Sequence, residues 1–127
     1  KCHNIHGHSY SLSVTFIGVP ANEPGSPKDG MVIDFADLKK IVKNNIVNVY
    51  DHALVLRDNS RFLPVVDNTL NEKLIVKPYQ PTCENMLIDF VEIILKELKN
   101  YSGVELHCAR LRETKTSYAD WFAADNT

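Results

Sequence analysis

The chain has 127 residues, of which 44% are hydrophobic and 24% charged; this is enough to bury a core and fits one soluble globular domain spanning 1–127. The formal net charge of -2 supplies no electrostatic drive toward nucleic acid or an anionic membrane. No apolar run approaches the roughly 18 residues of a membrane span, and three cysteines without CxxC spacing argue against a disulfide framework and for a reducing, cytoplasmic location.

The N-terminal Cys2-His3-Asn4-Ile5-His6-Gly7-His8 carries the densest chemistry. In extended backbone, side chains at i and i+2 share a face. His6 and His8 therefore project together, as two ligands of an open catalytic zinc site would; the bland reading is a polar strand end in solvent. His3 has the opposite parity. Cys2 shares His6's parity, but four extended residues separate the two by roughly 13 Å, and only a bend at Asn4-Ile5 brings the thiol to the metal site. On spacing alone Cys2 reads equally well as a small buried hydrophobe.

From His8 to Gly18 the pattern alternates. Tyr10, Leu12, Val14 and Phe16 share one face, and Ser9, Ser11, Ser13 and Thr15 share the other, which predicts a half-buried strand with His6 and His8 at the buried end of its apolar face. Val19 to Gly30, rich in Pro and Gly, reads as a long hairpin-like loop. Asp34 offers an N-cap for a helix of about 15 residues. Its core face would hold Phe35, Leu38, Ile41, Val42 and Ile46, with Lys39, Lys40 and Lys43 in water.

Between Asp51 and Gln80 the pattern is weak, with a turn at Asp58-Asn59-Ser60 and a short strand near Lys73 to Lys77. Thr82 caps a second helix with an apolar stripe of Met86, Leu87, Phe90, Val91, Ile94, Leu95 and Leu98. Period two returns after Gly103, with Val104, Leu106, Cys108 and Arg110 on one face. A last strand is expected over Ser117 to Phe122. The order strand, helix, helix, strand, strand, with a further strand expected upstream of Lys1, predicts an α+β domain whose two helices cover one face of an antiparallel sheet. Such a sheet leaves edges, and pairing them between copies is a standard remedy, so an oligomer is expected.

Three further groups offer chemistry. Asp51-His52 places an acid beside an imidazole, as in a proton relay, although such neighbours are also common in loops. Glu113, near the end of a strand, offers a carboxylate able to accept hydrogen bonds from a cyclic amide and amine; a solvent-facing strand end explains it equally well. Cys83 and Cys108 read as core residues, and Glu84 as a charge that complements the second helix's dipole.

In order and spacing, Cys2-x3-His6-Gly7-His8, Gly30-Met31-Val32-Ile33-Asp34-Phe35, Asp51-His52, Pro81-Thr82-Cys83-Glu84-Asn85 and Glu113-Thr114 resemble the 6-pyruvoyltetrahydropterin synthase family over nearly the whole chain. The likeness is greatest to its bacterial 6-carboxytetrahydropterin synthase branch. The resemblance implies a tunnelling fold, in which sheets join into a barrel within a hexamer made of two trimers. It implies a zinc-dependent lyase that converts 7,8-dihydroneopterin triphosphate to 6-carboxy-5,6,7,8-tetrahydropterin, acetaldehyde and triphosphate, on the way to queuosine and other deazapurines. Two alternatives stand beside it: a pyruvoyl-forming enzyme that releases triphosphate only, and a non-catalytic pterin-binding oligomer of the same fold.

Carried onto this chain, the resemblance implies zinc ligands at His6 and His8, with the third expected upstream of Lys1. It also implies a catalytic thiol at Cys2, a relay at Asp51 and His52, and a ring anchor at Glu113. The short spacer between Cys2 and His6 favours the carboxy-forming branch.

Overall fold

The computed structural model describes residues 7–63 and 73–127. Its main sheet has three antiparallel strands, β1 (Ser11–Gly18), β4 (Val104–Arg112) and β5 (Tyr118–Phe122), in the order β1-β4-β5. A separate parallel pair joins β2 (Leu54–Arg57) to β3 (Leu74–Lys77). The first helix, α1, runs from 35 to 50, and the second, α2, covers Cys83–Leu98. The α+β class and the two helices agree with the sequence reading. The expected order lacked both β2 and β3; the short strand expected near Lys73 to Lys77 is β3, and the structure adds β2 beside it.

Both helix starts form as the cap residues dictate. Asp34 Oδ1 accepts from the Ala36 amide at 2.9 Å and Thr82 Oγ1 accepts from the Asn85 amide at 3.2 Å, each supplying a partner to an otherwise orphan N–H. Within α1 the middle residues, Lys40–Val47, wind as a π-helix between the α-helical segments Phe35–Lys39 and Asn48–Tyr50. A π turn takes more residues than the 3.6 of an α turn, so the apolar face drifts in phase. The buried residues are Ile41 and Ile46, five apart, whereas Phe35, expected in the core, is 78% exposed.

The core is built by Ile41 and Ile46 of α1, by Met86, Leu87, Phe90, Val91, Ile94 and Leu98 of α2, and by Val104, Leu106, Ala109 and Leu111 of β4. Leu12, Val14 and Phe16 of β1 pack against it from the face their alternation predicts. Leu95 departs from the expected stripe and is exposed.

The alternation expected along β4 fails midway. Thr15 pairs with Cys108 and Phe16 with Leu106, so His107 is an extra residue bulged out of the ladder. The bulge resets the parity: Val104 and Leu106 face inward before it, Ala109 and Leu111 after it. Arg110 thus turns to the other face. There its guanidinium meets Asp120 at 2.6 and 2.9 Å and lies 3.9 Å from the Tyr118 ring centre.

Candidate functional site

A cavity of about 870 Å³ opens where the start of β1, the C-terminal end of α1 and the underside of α2 meet. Its floor is apolar, formed by Leu12, Ile46, Met86, Phe90 and Leu111, and its polar side chains include His8, Tyr10, Asp51 and His52. A concave apolar site with a few polar groups converging on it is the usual form of a small-molecule pocket.

Asp51 and His52 reach this cavity from a turn that the backbone makes at some cost. The Asp51 amide still donates to Val47 O at 2.8 Å, closing the helix, and the Ala53 amide donates to Tyr50 O at 3.0 Å, closing a turn across Asp51 and His52. Asp51 has φ -60° and ψ 125°, and His52 has φ 57°. This is the pattern of a type II turn, whose third position favours glycine because other residues meet a steric penalty at positive φ. Among the described residues His52 is the only non-glycine with positive φ. An imidazole held where glycine is preferred is the kind of local strain that clusters at working sites.

His52 Nδ1 lies 3.0 Å from Asp51 Oδ1, with both side chains largely in solvent. So exposed a pair contributes little to stability. Its consequence is orientation. The contact turns Nδ1 toward the Asp51 carboxylate and leaves Nε2 on the far side of the ring.

Two sets of contacts hold this turn from behind. Lys73 Nζ donates to the carbonyls of Asn48 and Asp51 at 2.8 and 2.7 Å, where a helix end leaves its C=O groups unsatisfied. Asp89 of α2 gathers Tyr79 Oη at 2.5 Å, Tyr50 Oη at 3.3 Å and Lys77 Nζ at 3.1 Å on one carboxylate oxygen. Burial, and then the neighbouring Asp89 charge, push the Tyr79 phenol far above its ordinary range. Burial acts against the Lys77 charge, but its hydrogen bonds to Tyr50 and Asp89 outweigh that, and its pKa rises. The cluster therefore ties α2 and β3 to Tyr50, the residue immediately before Asp51. Removing the charge should be costly, because the Lys77 cation would remain half-buried with a weaker partner. Asp89→Asn is expected to lose about 2 kcal/mol in urea denaturation and to lower turnover through the displaced turn.

Beyond Tyr10, outside the cavity lining, Glu113 follows β4. Its amide and that of Thr114 donate to Ser117 O at 2.8 and 3.2 Å, and Thr114 Oγ1 accepts from the Ser117 amide at 3.0 Å, so the loop into β5 is closed on itself. The carboxylate accepts from Tyr10 Oη at 3.1 Å. Burial, with the Glu113 charge and hydrogen bond added, pushes the Tyr10 phenol up to about 12, which keeps it protonated and donating. The Pro81-Thr82-Cys83-Glu84-Asn85 segment pins the start of α2 nearby. Cys83 Sγ donates to Leu111 O at 3.1 Å and Asn85 Nδ2 to Gln80 O at 3.0 Å. Burial and the Glu113 charge push the Cys83 thiol up, so it stays a neutral donor, in agreement with its reading as a packing residue.

His8, Asp51 and His52 thus line one cavity, and Glu113 stands at its margin through Tyr10. Cys2 and His6 lie outside the described residues. His8 was expected at the buried end of a strand face and is instead exposed, since it precedes the β1 ladder, beyond the cover of the helices; its ring stands edge-on to Tyr10 at 6.3 Å. Among the described residues no group of three His, Cys, Asp or Glu side chains could hold a metal. His8, the one expected ligand that is described, presents an imidazole donor to the cavity, and this fits zinc in donor type.

A model of the 6-pyruvoyl tetrahydropterin synthase family matches residues 1–123. The chain belongs to that family. The 6-carboxy-5,6,7,8-tetrahydropterin synthase of Haemophilus influenzae is 36% identical over 124 residues, covering 95% of this chain and 84% of its own length. Two solved structures share the fold. An uncharacterised protein of Wolinella succinogenes superposes with a TM-score of 0.74 at 22% identity over 96% of this chain and 81% of its own. The 6-pyruvoyl tetrahydropterin synthase of Plasmodium falciparum does so with 0.66 at 23% identity, over 94% and 81%.

Within this tetrahydropterin synthase family member, sequence spacing singled out the turn residues but not what holds them. Tyr50, Lys77, Tyr79 and Asp89 meet only in the fold and leave no local pattern. Tyr10 was read simply as one apolar residue of a strand. The signal available for it was its parity, which places it on the cavity face.

Proposed function

We propose that this chain is the subunit of a tetrahydropterin synthase that takes 7,8-dihydroneopterin triphosphate and releases 6-carboxy-5,6,7,8-tetrahydropterin, acetaldehyde and triphosphate. The observation that carries this reading is the Asp51–His52 pair, set on a positive-φ turn and facing the same cavity as His8. Family membership supports a tetrahydropterin synthase, and the name carried by the Haemophilus relative supports the carboxy-forming product.

In this reading Glu113 accepts the N–H groups along one edge of the planar pterin ring, which fixes the ring and aims its C6 side chain along the cavity. Cys2, as thiolate, removes a proton from that side chain. His52 moves a second proton at Nε2, its tautomer held by Asp51 at Nδ1. Zinc, held by His6 and His8, would supply Lewis-acid polarisation of the side-chain oxygens. The exposure of His8, Asp51 and His52 in a single chain, and the one-sided pairing of β1 and β5 among the described residues, support assembly of several copies around the site. On this reading the sheets join into a barrel and the assembly is a hexamer.

The test is product analysis. Incubated with 7,8-dihydroneopterin triphosphate, the zinc-loaded protein is expected to release acetaldehyde and triphosphate in equal amounts. Triphosphate without acetaldehyde would replace the carboxy-forming reading with the pyruvoyl-forming one, and release of neither would leave a pterin-binding oligomer.

A further inference from the structure

We infer that Tyr10 is a positioning residue for the ring-binding carboxylate, holding Glu113 in one orientation and so setting how selectively the site takes an amino-pteridine. The inference rests on the reading of Glu113 as ring anchor and goes beyond it, to a residue outside the motifs that define the site.

The ladder makes the two residues neighbours. Ser11 pairs with Arg112, and continuing that antiparallel register by one step brings Tyr10 opposite Glu113. Parity puts Tyr10 on the face of Leu12, and Glu113 on the face of the buried Leu111, so both point to the helix-covered side. Contact follows: Tyr10 Oη donates to Glu113 Oε1 at 3.1 Å.

Tyr10 is also the residue that connects this carboxylate to the cavity. It lines the cavity and Glu113 does not. Its ring meets the edge of His8 on one side while its hydroxyl reaches Glu113 on the other. A glutamate at a strand end has three freely rotating side-chain bonds. With one oxygen held by the Tyr10 hydroxyl, its carboxylate plane is set before a ligand arrives. The remaining acceptor positions then meet the adjacent ring N–H and exocyclic amine of a pterin together, and preorganisation of this kind raises both affinity and discrimination. An analogue with oxygen in place of that amine would bring a carbonyl against the carboxylate and be rejected.

The test uses ring-fluorescence quenching with neopterin and with the lumazine that carries the same 6-trihydroxypropyl side chain, its dioxo counterpart, on the full chain and without turnover. Tyr10→Phe removes one hydroxyl and keeps the ring. It is expected to weaken neopterin binding about 10-fold, to narrow the neopterin-over-lumazine ratio, and to raise KM more than it lowers kcat. In a Glu113→Gln background the same change should have no further effect, since the coupled partner is already altered. If Glu113→Gln binds neopterin as the parent does, the anchor reading itself fails. If Glu113→Gln binds weakly but Tyr10→Phe keeps parental affinity and ratio, or if the two effects simply add, the positioning role is overturned while the anchor stands. A fall in melting temperature without a change in the ratio would also overturn it, by assigning Tyr10 to structure alone.

Discussion

Replacing His52 with glycine is expected to lower kcat by about 10²- to 10⁴-fold, the usual range for loss of a general acid or base, while the protein becomes no less stable. The two effects separate because of where His52 sits. Its φ of 57° belongs to the left-handed region, which costs a non-glycine residue about 1 kcal/mol or more, and glycine adopts it freely. The contact given up is the exposed His52–Asp51 pair, worth well under about 1 kcal/mol. The melting temperature should therefore hold or rise by a few degrees, as the activity collapses. A glycine variant that turned over at the parental rate would remove His52 from the reaction. One that melted clearly lower would show instead that the turn is held by His52's contacts. Asp51→Asn should give a smaller loss of kcat, because the amide can still pair with Nδ1 but no longer enforces a single tautomer.

This expectation illustrates how the site was written in the sequence. The adjacency of Asp51 and His52 was visible at once, but adjacency says nothing about backbone conformation. What sets the pair apart is a turn that would be easier with glycine, and a cavity that His8 and Tyr10 also line. Neither has a local signature. The positive φ is imposed by the closing hydrogen bond from Ala53 to Tyr50 and held by Lys73, 22 residues away from Asp51.

Much of the scaffold could be read directly. Asp34 and Thr82 cap their helices as short polar side chains do, and β1 alternates because one of its faces packs on the core. What escaped were the features with non-local causes. β2 has four partly buried residues and no alternation, since it pairs in parallel with β3 from the far side of a long connection. The π segment of α1 shifts which residues face inward, and the bulge at His107 inverts the parity of β4. Each spoils a simple periodicity at one point. The bulge at His107 reaches the candidate site, because the reset parity brings Leu111 and Glu113 onto the helix-covered face beside Tyr10.

The largest loss of stability from a small change is expected at Gly18. A Cβ there would stand 2.1 Å from Gly103 O and 2.8 Å from Val32 Cγ1. The first contact is backbone to backbone and has no rotamer to relieve it. Gly18 is the last residue of β1 and pairs with Val104, just after the turn at Gly103, while Val32 belongs to the segment that leads into α1. Three stretches of chain meet there because one of them has no side chain. Gly18→Ala should thus force the β1–β4 ladder and the entry to α1 apart, at a cost of about 3 kcal/mol, which lowers the melting temperature by roughly 10 °C for a chain of this size. Gly25→Ala provides the contrast. Nothing lies within 4 Å of its added carbon, but its φ is +88°, so only the conformational penalty of about 1–2 kcal/mol applies. Equal denaturation midpoints for the parent and Gly18→Ala would refute the close approach. The site itself should be spared, for Gly18 closes the end of β1 opposite Tyr10, roughly 25 Å away along an extended strand. Molecules of Gly18→Ala that remain folded at low temperature are therefore expected to bind neopterin as the parent does, which separates damage to the scaffold from damage to the site.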